Sequence, residues 1–461
     1  MEKKRSSFTG KLGFVLAAAG SAVGLGNLWR FPYLAAKHGG GIFLLVYIIL
    51  SVTFGFSLMI AEIAIGRKTG LSAIGAFKRL NKKCTFIGYL AALVPALILP
   101  YYSVIGGWVL KYLTVFATGK GGMVAADANG YFGYFTGNTF QSLLFFAIFI
   151  GITAVVVLLG VEKGIEKVSK IMMPVLIVLS VGIAAYVCIS NGIQGKWDGL
   201  IYYLKPDVAN FSIMTVVSAM GQLFYSMSLA MGIMITYGSY MKKDVDLESS
   251  VHQIEFFDMG IAFLAGLMIV PSVVSYSGIE GLNKGPGLMF VTLPKVFNEM
   301  GTVTGSIVGA IFFILVLFAA LTSSISLMET VVSIIQDKFH INRRVTCLIV
   351  LGGSFVIGLP SALGFGVWSD VIFFERMDIL TFFDFATNSI LMPIAAILTC
   401  ILICYVIKPK TIIDEVEVSG KFKLKKLFTV MIYAAPVLLL VILAFAIFEA
   451  FGITFGGFLK F

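Results

Sequence analysis

Five charged side chains stand inside otherwise apolar stretches of this sequence: Arg30, Glu62, Asp258, Glu329 and Asp384. A charge at such a place is costly unless it is paired or faces a polar cavity, so each is a functional candidate. Just before Arg30, the segment AVGLGN (residues 22–27) sets two glycines and an asparagine in the middle of an apolar run. A later run, GQLFYSMSLAMGIMITYGSY (residues 221–240), is interrupted by Ser226, Ser228, Ala230 and Gly232. Such centres unwind easily. At membrane depth, unwound backbone is tolerated only where protein or a water-filled cavity satisfies its polar groups, so these two segments predict a binding site. The plainer reading of Gly20 and Gly24 is a GxxxG packing face between helices.

Other chemistries find little support. His38, His252 and His340 are scattered, and no nucleophile–base pair or metal motif accompanies them, which argues against an enzyme. Cys188, Cys347, Cys400 and Cys404 lie in apolar segments and Cys84 in a basic loop, without paired CxxC spacing, so all five read as packing residues. The GLGN element follows no strand, which excludes a dinucleotide fold. A channel would need a continuous polar pore or a repeated filter, and the sequence offers two single interrupted spans instead.

The elements that must position these residues are membrane helices. Hydrophobic residues make up 59% of the 461 and charged ones 13%, far from the balance of a soluble domain. Windows of about 20 apolar residues place helices near 11–37, 41–66, 87–117, 140–160, 165–190, 211–240, 250–277, 303–337, 344–364, 378–407 and 427–450. The fold class is therefore an all-α membrane protein of eleven transmembrane helices in a single polytopic domain. The net charge of +10 is topological, because the basic residues sit in short loops rather than on one face, and no nucleic-acid partner is expected. With the N-terminus cytoplasmic, about 24 of the 34 basic residues fall on the cytoplasmic side, and the C-terminus lies outside. The basic start and apolar run of residues 1–22 resemble a secretory signal, but the run continues through Arg30 to Pro32 as one motif, so cleavage is not expected. Two outer connections, 278–300 with Gly281, Gly285, Pro286 and an amphipathic stretch from Phe290 to Phe297, and 365–377, are either lids or plain connectors.

Interrupted spans at matching positions of two five-helix halves are the pattern of inverted-repeat transporters, and the expected geometry is taken from that class. The halves are 11–190 and 211–407, with 427–450 as an extra helix. In that class half-helix N-termini face an anionic group and freed carbonyls face cations.

Four segments in order, AGSAVGLGNLWRFPYLAAKHGGGIF, YYSVIGGW, GQLFYSMSLAMGIMITYGSY and FAALTSSISLMET, resemble the signature segments of the neurotransmitter:sodium symporter family. The resemblance spans ten helices and implies sodium-coupled import of an amino acid across the cell membrane. It implies two sodium ions held by oxygen ligands, as a hard cation requires. The first site would use Ala22, Asn27, Ser226, Asp258 and the substrate carboxylate; the second would use Gly20, Val23, Ala319, Thr322 and Ser323. Back-bonding within the helix is the alternative role for Thr322 and Ser323. The substrate carboxylate would lie by Leu25, Gly26 and Tyr102, with its amine near Tyr225 and Ser228. Ile98, Tyr225, Met231 and Leu327 would wall an apolar side-chain pocket. Gly24 leaves room for the carboxylate where monoamine carriers of the family have an aspartate.

By the same resemblance Arg30 and Asp384 form an outer gate, Arg5, Asp337 and Tyr240 an inner latch, and Glu62 braces the second interruption. Asp258 stands where many members have asparagine, and with Ala262 it implies transport without chloride. Asp258 also reads as a buried acid bonded to Tyr47 and Gln222, which leaves proton coupling open. Pro100, Ala230 and Tyr225 depart from the family pattern and leave the particular amino acid open. Bacterial members tolerate the absence of a twelfth span, Glu329 receives no role, and no oligomeric state is specified.

Overall fold

The computed structural model describes residues 7–189, 196–278, 287–375 and 377–450. The expectations placed on Arg5, Gly281, Gly285 and Pro286 lie outside these residues. The described chain is helical throughout, with two isolated bridges, Gly40 to Pro206 and Phe373 to Met377, and no strand.

The first apolar run forms α1 (Lys11–Ala22) and α2 (Gly26–Lys37), bent by 50° across a three-residue gap. Then follow α3 (Gly41–Thr69), α4 (Lys82–Ala117), α5 (Thr139–Leu158) and α6 (Val161–Ile189). The run from 211 to 240 is divided between α7 (Ile213–Ser226) and α8 (Ile233–Gly238). The rest comprises α9 (Leu247–Ser277), α10 (Thr302–Phe339), α11 (Arg343–Leu363), α12 (Ile379–Ile407) and α13 (Lys425–Ala450). Among the described residues nine helices are long and apolar enough to cross a membrane, or ten with α1 and α2 counted as one span. Their bounds follow the apolar windows closely, because in lipid the helix must satisfy its own backbone wherever side chains are apolar.

The layout places α1 against α9, α10 and α6, and α10 along α4, so the first interruption is enclosed by helices on several sides. The small residues Ala17, Ala18, Ala19 and Gly20 make this approach close, as is usual where membrane helices meet without a hydrophobic driving force. α13 is the exception: much of it faces outward, with Val430, Val437 and Leu440 exposed.

The stretch Leu288–Glu299 of the first outer connection folds as a wide turn followed by a short helix. Its Phe290 is buried in an aromatic cluster with Trp29, Trp108, Tyr112, Phe132 and Phe313, at centroid distances from 4.9 to 6.5 Å. Edge-on and offset packing of this kind adds to area burial and roofs α2 with side chains from α4 and α10. Pro100 lies within α4 without ending it.

Candidate functional site

α1 stops because Val23 leaves the helical region, with φ −78° and ψ 95°. The backbone groups released there are met by other elements. The Leu25 amide donates to the Tyr102 hydroxyl at 3.3 Å, and the Gly24 amide donates to Asn27 Oδ1 at 3.2 Å. The Ser21 carbonyl accepts from Ser323 at 3.1 Å and from Ser228 at 3.0 Å; the Gly26 carbonyl accepts from Gln222 at 3.0 Å.

Between α7 and α8 the chain takes left-handed conformations at Ser228, Ala230 and Gly232, with φ of 54°, 60° and 69°. Side-chain-bearing residues are rare there, and the strain of Ser228 and Ala230 is held in place by specific bonds. The Ala230 amide donates to Glu62 Oε1 at 2.6 Å, so Glu62 binds the unwound backbone. Its Oε2 is buried without a partner.

The two interruptions face one another across a cavity of about 30 Å³. That is space for a water molecule. Every residue named above for substrate binding lines it: Gly24, Leu25, Gly26, Ile98, Tyr102, Tyr225, Ser228, Met231 and Leu327. Ser21 and Ile233, which sequence reasoning missed, line it too. Ser21 is the connector, since its hydroxyl meets that of Ser228 at 3.1 Å while its carbonyl takes both Ser228 and Ser323. Its place beside Gly20 in the interrupted segment was the available signal. A side-chain carbon on Gly24 would come within 2.6 Å of Ser323 Oγ and 3.1 Å of the Tyr102 hydroxyl; one on Gly26 would collide with the Tyr225 ring.

Of the residues named for the first ion, Asn27 and Ser226 meet at Asp258, while Ala22 lines the central cavity. Asp258 Oδ1 accepts from Asn27 Nδ2 at 2.7 Å, and its Oδ2 accepts from the Tyr47 hydroxyl at 2.8 Å. Ser226 stands 2.8 Å from Tyr47 and donates to Oδ2 at 3.4 Å. All four side chains are buried. Gln222 does not take part as expected, because its amide goes to Gly26 and its Oε1 has no partner. For the second ion, Ser323 reaches the carbonyls of Gly20 at 3.5 Å and Ser21 at 3.1 Å, joining α10 to the end of α1. Thr322 back-bonds to Phe318 and Ala319 at 3.0 and 3.1 Å, the role helical hydroxyls commonly take. Val23 is buried alongside. Among the described residues no group of three His, Cys, Asp or Glu exists, so the donors available are carbonyls, hydroxyls, an amide and one carboxylate. That set suits a hard monovalent cation and not a transition metal.

The outer gate residues are arranged differently from the expectation. Arg30 and Asp384 do not pair: the Arg30 guanidinium lies over the Tyr225 ring, 5.2 Å from its centre, with Nη1 unpartnered. Asp384 Oδ1 instead accepts from Asn388 at 2.6 Å and Tyr101 at 3.3 Å. Asn388 lies one helical turn beyond Asp384 and competes for the carboxylate at short range. At the opposite end Asp337 accepts from the Ser72 amide and hydroxyl at 2.7 and 2.6 Å. The Tyr240 hydroxyl donates to Glu329 at 2.7 Å, and Glu329 is ion-paired with Arg343, which also donates to the Val157 carbonyl. Glu329 thus has a role in the structure: it ties α10, α11 and the chain after α8 together. Nearby, the buried Glu166 of α6 accepts from the Thr9 amide and hydroxyl and from Lys170, pinning the start of α1.

Comparison with known proteins gives a consistent picture. The model of the Sodium:neurotransmitter symporter family matches residues 5–120 and 138–459. An uncharacterized sodium-dependent transporter of Bacillus subtilis (strain 168), YhdH, is 34% identical over 426 residues, 90% of this chain and 91% of that protein. One from Methanocaldococcus jannaschii is 34% identical over 439 residues, covering 91% and 86%. The crystal structure of MhsT in complex with L-phenylalanine superposes with a TM-score of 0.87 at 34% identity, covering 96% of this chain and 100% of that one.

Proposed function

The chain belongs to the sodium:neurotransmitter symporter family, and on that footing we propose that it imports an amino acid with an apolar or aromatic side chain by sodium-coupled alternating access. One observation carries this reading: residues of both interruptions, of α4 and of α10 line a single buried cavity that presents amides, hydroxyls and no fixed charge. A zwitterion suits these lining groups once the cavity, about 30 Å³ in this structure, widens to admit it. The carboxylate goes to the Leu25 and Gly26 backbone and the Tyr102 hydroxyl, the amine to carbonyls near Tyr225 and Ser228, and the side chain to Ile98, Tyr225, Met231 and Leu327. The similarity to MhsT, whose structure holds L-phenylalanine, supports an aromatic or large apolar preference.

The proposed architecture is eleven membrane helices, with α1–α2 and α7–α8 each forming one interrupted span. Residues 11–190 and 211–407 are the two inverted halves, and 427–450 is added to them. The N-terminus is cytoplasmic and the C-terminus outside, as the distribution of Lys and Arg favours.

Two sodium ions are cargo. One sits among Ala22, Asn27, Ser226, Asp258 and the substrate carboxylate; the other sits among Gly20, Val23, Ala319, Thr322 and Ser323. The second joins α1 to α10 and favours the outward-facing state, since an ion shifts a conformational equilibrium only through unequal affinity for the two states. Substrate and the first ion then close the outer side, where Tyr225 lies between the cavity and Arg30, with Asp384 beside Tyr101. Loss of the second ion to the cytoplasm frees α1 from α10 and lets the contacts of Arg5, Asp337 and Tyr240 open. Each charge moving inward gains about 2.3 kcal/mol per 100 mV, so two ions with a zwitterion concentrate substrate strongly. The carboxylate of Asp258 supplies the negative charge beside sodium, and chloride is not required.

The test is uptake of a panel of labelled amino acids into vesicles containing the purified protein, with and without an inward sodium gradient. Accumulation of an apolar or aromatic amino acid that vanishes without the gradient is expected. Uptake indifferent to sodium, or none of any amino acid, overturns the reading.

A further inference from the structure

A groove of about 820 Å³ opens at the end of the molecule where α1, α9 and α13 all begin. Residues at or beside the starts of these three apolar helices line it together, and apolar spans give way to water at their ends. The floor of the groove is apolar, formed by Leu12 and Val15 of α1 and by Phe256 and Phe257 of α9. Leu12 is 63% exposed and Phe256 70% exposed. The rim carries Lys421 and Lys423, and the Lys11 ammonium reaches it by donating to Ser249 at 2.7 Å.

Two acids, Asp246 and Glu248, share the rim with the lysines and accept backbone amides. Asp246 caps α9 through the Ser249 amide at 2.8 Å, and Glu248 accepts the backbone amides of Lys423 and Leu424 at 2.8 and 3.0 Å. His252 is joined to Glu255 at 3.2 Å and stacks on Phe56. Among the described residues the lysine ion pairs involve Lys170, Lys243 and Lys425, and none involves Lys11, Lys421 or Lys423. Lys421 and Lys423 thus line, and Lys11 borders, an apolar groove, with none of the three ion-paired among the described residues.

We propose that this groove binds a phospholipid with an anionic headgroup, its phosphate among Lys11, Lys421 and Lys423 and an acyl chain along Leu12 and Phe256. Basic pockets between helices at the membrane boundary recognise such headgroups. Because Leu12 and Val15 belong to α1, the lipid bears directly on the helix that ends at the central cavity.

The test uses the full-length protein in detergent, titrated with phosphatidylglycerol, phosphatidylcholine or glycerol phosphate and read by native mass spectrometry, so it does not depend on transport. Phosphatidylglycerol is expected to bind about tenfold tighter than either of the others. Lys421→Gln with Lys423→Gln should lose about tenfold. Lys425→Gln with Lys426→Gln, on the same segment but away from the groove lining, should keep the parent's affinity. Phe256→Gln should weaken the lipid while leaving the three lysines in place. Equal binding of phosphatidylcholine, equal binding of glycerol phosphate, or an unaltered affinity in both the Lys421/Lys423 and the Phe256 variants overturns the proposal.

Discussion

Replacing Gly24 by alanine is a sharp probe of the site, because a single added carbon meets two groups with different assigned tasks. Its Cβ would stand 2.6 Å from Ser323 Oγ and 3.1 Å from the Tyr102 hydroxyl, where ordinary contact begins near 3.4 Å. Ser323 must give way, and its 3.1 Å bond to the Ser21 carbonyl is the one that joins α10 to the end of α1. Losing that bond costs about 1 kcal/mol. Overpacking a closed site adds about 1–3 kcal/mol. Together these weaken the second sodium site by roughly 30-fold or more. The assay is sodium titration of thermal stability without substrate, followed by sodium dependence of uptake in vesicles. Gly26→Ala is the paired control, since its added carbon strikes the Tyr225 ring and not Ser323. Gly24→Ala should shift the sodium midpoint strongly, and Gly26→Ala should chiefly impair substrate binding. An unmoved sodium midpoint in Gly24→Ala refutes the assignment of Ser323.

Removing the hydroxyl directly, in Ser323→Ala, should raise the sodium concentration for half-maximal uptake while leaving the order of preference among amino acids intact. If Asp258 supplies the negative charge beside sodium as proposed, exchange of chloride for gluconate should leave uptake unchanged; a fixed charge 4 Å from a cation is worth about 4 kcal/mol at an effective dielectric near 20. A drop in gluconate would defeat that reading. Just past the C-terminal end of α2, His38 shares a 3.0 Å hydrogen bond with Ser218, and burial together with neighbouring Lys37 lowers its pKa from 6.5 to about 4. The unfolded chain therefore takes up a proton before the folded one, and stability falls as pH drops from 6.5 towards 4, by about 3 kcal/mol at most. His38→Gln should flatten that part of the pH–melting profile relative to the parent; identical profiles would show that His38 does not contribute.

The helical elements were readable because a membrane leaves the backbone no alternative to helix, so an apolar window and a helix nearly coincide. The gap at residues 23–25 was readable for the opposite reason: glycines at 24 and 26 and Asn27 supply neither bulk nor helix preference, and Asn27 turns its side chain back to the Gly24 amide. Contacts decided by side-chain choice were harder. Nothing in the order of residues says that Asp384 is bonded by Asn388 and Tyr101 and not by Arg30, since the packing of α12 on α4 decides which groups meet. Glu329 was left without a partner because Arg343 follows on the next helix, after a turn in which His340 takes a left-handed conformation. Glu166 was overlooked because its partner, Thr9, lies 157 residues away and only the packing of α1 on α6 brings them together.

The most direct test of the account is an experimental structure determined in sodium with the transported amino acid bound. The substrate is expected between residues 24–26 and 228–231, its carboxylate toward Tyr102 and one ion, and a second ion where Ser323 meets the carbonyls ending α1. Substrate bound elsewhere, with α1–α2 and α7–α8 straightened into unbroken helices, would contradict it.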